Sequence, residues 1–375
     1  MVSLARASLI YEWRRFLPAV LAVAFAGLLV QVQLSLLLGM FSSVGVYIDR
    51  SSADLWVGYP ATQSVDLARP IPGKTENSLW AHPEVTSVER FTWTMADWQR
   101  PKGGKLSAVL IGIDPRPQAM TFATLLTPEL RQQLTVPSTV LVDESDLEKL
   151  GVKIGDYAEL SGKRVRIGGT VNGMRAMGGA NILTSLTTAR RIDPNLRNDA
   201  TDYFLARLRD PLRAELVRDQ LQPSGSFKPY QVWTADEFSA QSQTYWLFES
   251  GAGSGFLFSS ALGLLVGIVI TSQTLMAAIV AALREYATLR ALGVSSSSLR
   301  AVILEQSLWV GLAGLVITAA VGALLVVAAR HAHIALEVPL WGCVATGTLV
   351  LGIALLSGLS ALRALNQAEP STLLR

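Results

Sequence analysis

The sequence predicts an α-helical membrane protein with four transmembrane helices and a large α+β extracytoplasmic domain inserted between helices 1 and 2. Half of the 375 residues are hydrophobic and only 16% are charged. The mean hydropathy is +0.36, which is high for a chain that also contains a long polar region. One apolar run precedes that polar region and three follow it, and this order predicts helices around an inserted domain.

The net charge argues against a nucleic-acid partner, and the cysteine count excludes an internal disulfide. The formal net charge is only +3, and the arginines lie mostly at the edges of apolar runs. Nucleic-acid binding usually requires a basic face on a soluble domain, so the composition predicts no nucleic-acid partner. The single cysteine, Cys343, excludes a disulfide within the chain.

The start of the chain predicts an uncleaved membrane anchor. Residues 1–15 form a basic cytoplasmic N-terminal segment, and residues 16–41 are uncharged and long enough to cross the hydrocarbon as transmembrane helix 1. The run exceeds a signal-peptide core, and no clear cleavage site follows it. Gln31 and Gln33 lie in its outer half. Contact with a partner helix or the interface is favoured there over the lining of a substrate path.

Residues 42–254 have the character of a folded extracytoplasmic domain with a stalk. Residues 143–152 and 210–221 have acidic starts and helical apolar spacing, so they predict helices. A domain of this size can bury its own core, and we expect two lobes with a boundary near Gly112–Pro117. Short β-branched runs between turn residues predict strands at 108–114, 138–143 and 163–171.

Three tryptophans of this domain leave two interpretations open. Trp80, Trp93 and Trp98 could line an apolar groove for a substrate. Tryptophan in a small lobe more often belongs to the core, and this second interpretation is favoured.

The rest of the chain predicts three further spans and an orientation. Arginines accumulate in the N-terminal segment, in the loop that opens at Arg284 and in the tail, whereas the opposite hairpin holds one arginine. The positive-inside tendency therefore places both termini and that loop in the cytoplasm. The predicted segments are transmembrane helices at 255–283, 301–329 and 338–362, a cytoplasmic loop at 284–300, an external hairpin at 330–337 and a cytoplasmic tail at 363–375.

Two possible chemical motifs are weak. The sequence Gly73-Lys74-Thr75 is similar to the end of a phosphate-binding loop, but Ala68 stands where the leading glycine belongs and no apolar strand precedes it. His331 and His333, with Glu337 nearby, could present ligands to a metal. Two ligands and a loose carboxylate are a weak signal, so ordinary histidines of an interfacial loop are favoured.

The polar interruption at 284–300 is short, basic and compatible with a helix. Gly293 and, after Val294, four serines mark a break before the next apolar run. Leu289, Leu292 and Leu299 could give the loop an apolar face that docks a protein or lies on lipid.

Glu305 falls about one turn into the third span, where an unpaired carboxylate is costly. It could form a hinge contact with the arginines of the preceding loop. It could equally be a carboxylate that reaches the inner interface, and the sequence leaves both interpretations open.

Together these residues resemble the FtsX/MacB-type permease module of ABC transporters. The resemblance is carried by Arg284-Glu285, by Leu289-Arg290-Ala291-Leu292-Gly293, by Glu305 and by the glycines from Gly311 to Gly314. The family pattern is R-x-E-x-x-x-L-R-A-x-G, and the chain departs from it because Glu285 directly follows Arg284. Residues 141–156 are similar to a recurrent segment of the family's periplasmic core, and the opening of the chain looks most like the DevC-like subgroup.

The resemblance implies a non-catalytic subunit of an ATP-hydrolysing complex in the bacterial inner membrane. Two permease copies would form a homodimer and pair with a cytoplasmic ABC ATPase dimer, which would bind ATP and Mg; this chain would bind no cofactor. In DevC- and MacB-like systems a membrane-fusion adaptor and an outer-membrane channel complete the path. The ATPase-coupling residues would be Arg284, Glu285, Leu289, Arg290, Ala291, Leu292 and Gly293, with Glu305 as a hinge or coupling contact.

Two functions from different classes follow. The first is an exporter permease that relays ATP-driven motion to its periplasmic domain and moves a lipid, glycolipid, peptide or small hydrophobic compound. The second is an FtsX-like transducer that controls a periplasmic partner such as a cell-wall hydrolase and transports nothing. A membrane-anchored binding domain without an ATPase is disfavoured by the coupling motif.

Overall fold

The computed structural model describes residues 11–174, 179–225, 228–281, 295–331 and 339–367. The chain divides into two compact units. One combines residues 1–39 with 253–375, and we call it the membrane unit. The other is residues 40–252, and we call it the domain.

The elements are numbered in chain order. A π-helical turn, Tyr245–Glu249, precedes the last three helices. The helices and strands are α1 (Trp13–Asp49), β1 (Leu55–Gly58), β2 (Ile71–Pro72), α2 (Thr75–Trp80), β3 (Val85–Gln99), β4 (Lys105–Ile113), α3 (Pro128–Thr135), β5 (Thr139–Asp143), α4 (Leu147–Leu150), β6 (Tyr157–Leu160), β7 (Lys163–Val171), β8 (Ala180–Ser185), α5 (Leu186–Ile192), β9 (Ala200–Thr201), β10 (Tyr203–Leu208), α6 (Ala214–Leu221), β11 (Gln231–Thr234), α7 (Ala235–Thr244), α8 (Ala252–Ala281), α9 (Ser296–His331) and α10 (Leu340–Gln367).

Within the described residues, four helices are long and apolar enough to cross a membrane: α1, α8, α9 and α10. About 20 apolar residues span the hydrocarbon as a helix, and each of the four exceeds that length. The polar region lies between α1 and α8 and folds with both strands and helices. The predicted fold class is therefore confirmed.

Most strands of the domain form one sheet, in the order β11-β1-β10-β3-β4-β8-β5-β7-β6 among the described residues. The first half of β3 pairs with β10, and its second half pairs with β4. Trp98 of β3 also pairs with Leu160 of β6, so the strands from β3 to β6 close on themselves as a small barrel. Closure of this kind removes exposed strand edges.

The strands β11-β1-β10-β3 form the open part of the sheet, which we call the open sheet. Because β3 contributes its two halves to the open sheet and to the barrel, the two parts share a strand. Residues 40–252 form one compact unit. The two lobes and the boundary near Gly112–Pro117 stay predictions. The predicted strands are confirmed as β4, β5 and β7, with 108–114 and 138–143 each extending one residue beyond the observed strand, and the predicted helices contain α4 and α6.

Aromatic side chains fill the core of the open sheet. Trp56, Phe91, Tyr203 and Phe238 are buried, and Trp233 stacks on Phe238 with ring centroids 4.6 Å apart. Burying a large apolar side chain contributes about 2 kcal/mol, so this cluster is a major part of the stability of the domain.

The tryptophans named in the sequence analysis take different positions. Trp98 is fully buried in the barrel, where its Nε1 donates to the Leu150 carbonyl at 3.1 Å. Trp93 is partly buried against the aromatic core. Trp80, at the end of α2, is half exposed. The core interpretation is therefore confirmed for Trp98 and Trp93, and the three do not line a common groove.

Asp202, between β9 and β10, predicts a pH dependence of stability. Burial raises its pKa to about 6; the backbone N–H of Trp93 opposes this shift by donating to its Oδ2 at 2.9 Å, and the charge of Asp193 adds to it. The unfolded pKa is about 3.9, so ionised Asp202 destabilises the folded state above pH 6. The free energy of unfolding therefore gains from protonation of Asp202 as the pH falls from about 6 to about 4, and the destabilisation disappears.

We expect Asp202→Asn to remove this dependence, because the amide is neutral and still accepts from Trp93. At pH 7 the variant should be more stable than the wild type by up to about 3 kcal/mol, and the difference should vanish near pH 4. Unfolding of the detergent-solubilised full chain as a function of pH measures this. The exposed Asp219→Asn is the control. A pH-independent difference between wild type and Asp202→Asn would contradict the assignment.

Candidate functional site in the membrane unit

The predicted coupling residues Arg284, Glu285, Leu289, Arg290, Ala291, Leu292 and Gly293 lie outside the described residues, and so do His333 and Glu337. His331 is the last residue of α9. We call residues 284–293, which hold these coupling residues, the coupling segment. The chain is described again from Ser295, and residues 296–300 of the loop predicted at 284–300 belong to α9. What the structure shows of the site is thus the start of α9 and the helices that contact it.

Ser295 begins α9 as its N-cap. Its Oγ accepts from the backbone N–H of Ser298 at 3.2 Å, which satisfies a donor that the first helical turn leaves without a partner. The break predicted after Gly293 is therefore followed at once by a capped helix. Glu305 is half-buried in the third turn of this helix, and the next two residues, Gln306 and Ser307, are buried.

The start of α9 packs against the start of α1. Phe16 and Val23 of α1 form a buried cluster with Ile303 and Val310 of α9, and Val350 of α10 joins them. The first halves of α1 and α9 therefore lie at the same end of the bundle.

Small residues bring α1 close to its neighbours. A Cβ added to Gly314 of α9 would lie 2.7 Å from a methyl group of Val23, and one added to Gly27 would lie 2.7 Å from Thr318 Oγ1 and from Val350. A Cβ on Gly267 of α8 would overlap Ala26. Close backbone approach at small residues is the usual basis of helix packing in membranes, and here it joins α1 to α8, α9 and α10.

Hydrogen bonds add to this packing. The hydroxyl group of Thr318 can donate to either of two carbonyl groups. Its Oγ1 lies 3.2 Å from the Ala24 oxygen of α1 and 2.9 Å from the Gly314 oxygen of its own helix. Gln33 Nε2 donates to Ser259 Oγ of α8 at 2.7 Å, and Ser260 Oγ donates to Gln33 Oε1. Gln31 packs at Gly322 of α9. Both glutamines therefore contact partner helices, which confirms the favoured interpretation.

The other face of α8 is exposed and apolar. Phe258, Leu262, Leu265 and Val269 are exposed and recur at helical spacing along one side of the helix. Within the described residues this stripe has no protein neighbour that covers it. Such a face suits lipid or a second copy of the chain.

The far end of α1 belongs to the core of the domain. Val44, Tyr47 and Ile48 are buried there, and Tyr47 Oη donates to Asn181 Oδ1 of β8 at 2.9 Å. Ser239 of α7 donates to Asp49 Oδ1 at 2.7 Å. The end of the helix is thus fixed to a central strand and to the helix that leads back toward α8.

Two buried charged residues, Glu89 and Arg131, bind the backbone of the loop that covers this end of α1. Glu89 accepts from the backbone N–H groups of Met120 at 2.5 Å and Thr121 at 3.1 Å, and Arg131 donates to the Thr121 carbonyl at 2.5 Å. Burial lowers the pKa of Arg131. The loop then bonds to the residues after α1, because Ser52 N donates to the Met120 carbonyl at 2.9 Å and Phe122 N donates to Ser51 Oγ at 3.1 Å.

The weak phosphate-loop motif has another role. The backbone N–H of Gly73 donates to the Asp199 carbonyl at 2.6 Å, and a Cβ on Gly73 would lie 2.9 Å from the same oxygen. Gly73 therefore allows close approach of two loops beside the β2–β9 pair, and its N–H is not available to a phosphate.

Comparison with protein families gives the class of this molecule. Residues 16–224 match the MacB-like periplasmic core domain, and residues 257–370 match the FtsX-like permease C-terminal domain. The first match alone covers more than half of the chain. The chain belongs to the MacB/FtsX family of ABC transporter permeases, as the sequence motifs predicted.

Three solved structures are similar to part of the chain. The periplasmic region of MacB from Actinobacillus actinomycetemcomitans has 15% identity and a TM-score of 0.35, covering 50% of this chain and 92% of its own. The extracellular domain of the noncanonic ABC-type transporter YknZ from Gram-positive bacteria has 13% identity and a TM-score of 0.33, covering 48% and 98%. A permease domain from Porphyromonas gingivalis has 15% identity and a TM-score of 0.32, covering 49% and 89%. No curated protein matches the chain.

The contact face of α1 was missed in the sequence analysis, although a signal for it exists. Ala19, Val23, Gly27 and Gln31 recur every four residues, and each lies toward a neighbouring helix. Small residues at this spacing are typical of helix interfaces in membranes.

Replacement of Gly314 tests the close approach of α1 and α9. Gly314→Val would place methyl groups against Val23, and overpacking of this kind costs about 1 to 3 kcal/mol. We expect a lower thermal unfolding midpoint of the purified protein. Gly352→Val in α10 is the matched control, because among the described residues no atom lies within 4 Å of a Cβ at that position. Equal midpoints for the two variants would contradict the packing.

Proposed function

We propose that this chain is the permease subunit of an ABC exporter and relays ATP-driven conformational change from a separate cytoplasmic ATPase to its periplasmic domain. The observation that carries the proposal is the dual burial of α1. Its first half, with Ala19 and Val23, is buried in the membrane unit, and its last turns, with Val44 and Ile48, are buried in the core of the domain. Residues of α1 are therefore buried within each of the two units.

The proposed input is the coupling segment, residues 284–293. Its arginines favour the cytoplasmic side, where a coupling helix would be received by the ATPase. Motion of the segment would pass to α9, which it directly precedes, and from Ile303 and Val310 of α9 to the start of α1. Glu305, two residues beyond Ile303, is proposed as the hinge contact of this step.

The proposed output is the periplasmic domain. Two hydrogen bonds at the end of α1 support this role, from Tyr47 to Asn181 and from Ser239 to Asp49, because a shift of α1 would be transmitted to β8 and α7. Motion of the domain would be passed to a membrane-fusion adaptor that contacts it, and an outer-membrane channel would complete the path. The substrate would then be moved on the periplasmic side.

The proposed assembly is a homodimer with an ATPase dimer in the bacterial inner membrane. The exposed stripe on α8 supports a second copy, since a contact there would cover apolar side chains that the described chain leaves open. ATP and Mg would be bound by the ATPase, and this chain would have no catalytic role. The DevC-like subgroup remains part of the proposal.

Substitution of the coupling segment tests this function. We expect Arg290→Ala combined with Gly293→Leu to abolish permease-stimulated ATP hydrolysis in the reconstituted complex, because both changes alter the surface that the ATPase would receive. Arg197→Ala is the matched control, since Arg197 is an exposed arginine of the domain. Unchanged stimulation in the double variant would overturn the assignment. Normal coupling without export of any compound would instead fit the FtsX-like transducer.

A further inference from the structure

One edge of the domain carries exposed apolar side chains beside the start of a membrane span. We define the domain base as residues 59–69 together with the π-helical turn Tyr245–Glu249. Phe248 is 63% exposed, and Tyr59 and Leu67 are also exposed. Large apolar side chains in this exposure range mark contact surfaces when they lie together.

Hydrogen bonds hold the two parts of the domain base together. Trp246 Nε1 donates to Asp66 Oδ1 at 3.1 Å. The N–H of Val65 donates to Ser242 Oγ at 3.1 Å, and Gln241 Nε2 donates to the Thr62 carbonyl at 2.7 Å. Leu67 follows Asp66 directly, and Phe248 follows Trp246 by two residues. The exposed side chains are therefore presented by a fixed surface.

The length of the chain places the domain base near the bilayer. Glu249 precedes Ala252, the first residue of the apolar helix α8, by three positions, and three residues reach at most about 10 Å. On the other crossing, the predicted span ends at residue 41, and Val44 is already buried in the domain core. The headgroup layer adds about 5 to 8 Å on each side of the hydrocarbon. Neither crossing is long enough to hold the base far from that layer.

We propose that Tyr59, Leu67 and Phe248 insert into the headgroup region of the phospholipid leaflet on the domain's side of the membrane. Tyrosine and other aromatic side chains favour this region because it accommodates both apolar and polar groups. Arg69 lies over the Tyr59 ring, 5.5 Å from its centroid, and is exposed, so its guanidinium can donate to a lipid phosphate. The contact anchors the domain independently of any transported substrate.

Leu212 provides a control at the other end of the domain. The base contacts the start of β10, because Tyr203 Oη donates to the Val65 carbonyl at 3.0 Å. Leu212 follows the other end of β10, which is Leu208, and six residues of strand extend about 20 Å. Leu212 is 95% exposed, so a probe there would report an apolar residue that is in water.

The test uses fluorescence in proteoliposomes of phosphatidylcholine and phosphatidylglycerol. The full chain with Cys343→Ser carries Phe248→Cys, Leu67→Cys or Leu212→Cys, each labelled with an environment-sensitive thiol probe. Lipids with a nitroxide near the headgroup serve as quenchers. We expect quenching at 248 and 67 to exceed that at 212 by about twofold or more, because only the first two positions lie in the headgroup region.

Equal quenching at all three positions would overturn the proposal. A second outcome would also overturn it: the emission at 248 or 67 is already blue-shifted in detergent and does not respond to the lipid quencher. In that case a second copy of the chain, rather than lipid, would cover these residues. Correct folding of each variant is checked by comparing its unfolding midpoint with that of the Cys343→Ser parent.

Discussion

The close packing of α1 against the three other membrane helices is the contact on which the rest of the structure depends. Gly27 of α1, Gly314 of α9 and Gly267 of α8 leave no room for a larger side chain, because side chains of the neighbouring helices lie directly against them. In a bilayer, apolar side chains gain little by leaving lipid for a protein contact. Shape at these small residues and a few hydrogen bonds, such as those of Gln33 and Thr318, must therefore hold the bundle together.

The domain meets the same helix in a different way. Tyr47 and Ile48 lie in a water-excluding aromatic core, where burial of apolar surface supplies the stability. The loop shaped by Glu89 and Arg131 covers this end of α1, and its polar groups are satisfied by backbone partners. The strand β3 is shared between the open sheet and the barrel, so these two parts of the domain are joined by backbone hydrogen bonds along one strand.

Sequence patterns predicted what depends on local composition. The four apolar runs, the strands at β5 and β7, the break before Ser295 and the family motif could all be read from neighbouring residues. The long-range features could not. Arg131 is charged yet buried, because three carbonyl groups of the preceding loop, 10 to 17 residues away, accept its donors. The closure of the barrel through Trp98 and Leu160 depends on strand twist and pairing that no local pattern encodes. The coupling residues from Arg284 to Gly293 lie outside the described residues, and their role stays a prediction.

The central claim is that motion at the coupling segment reaches the domain through α9 and α1. The most direct measurement uses the proposed homodimer, reconstituted with its ATPase. It is the distance between spin labels at Leu212→Cys in the two copies, in the Cys343→Ser background, with and without ATP. Leu212 is highly exposed, so a label there leaves the core intact. The account predicts that the distance distribution shifts when ATP binds. The same distribution in both states, in a complex that hydrolyses ATP, would contradict it.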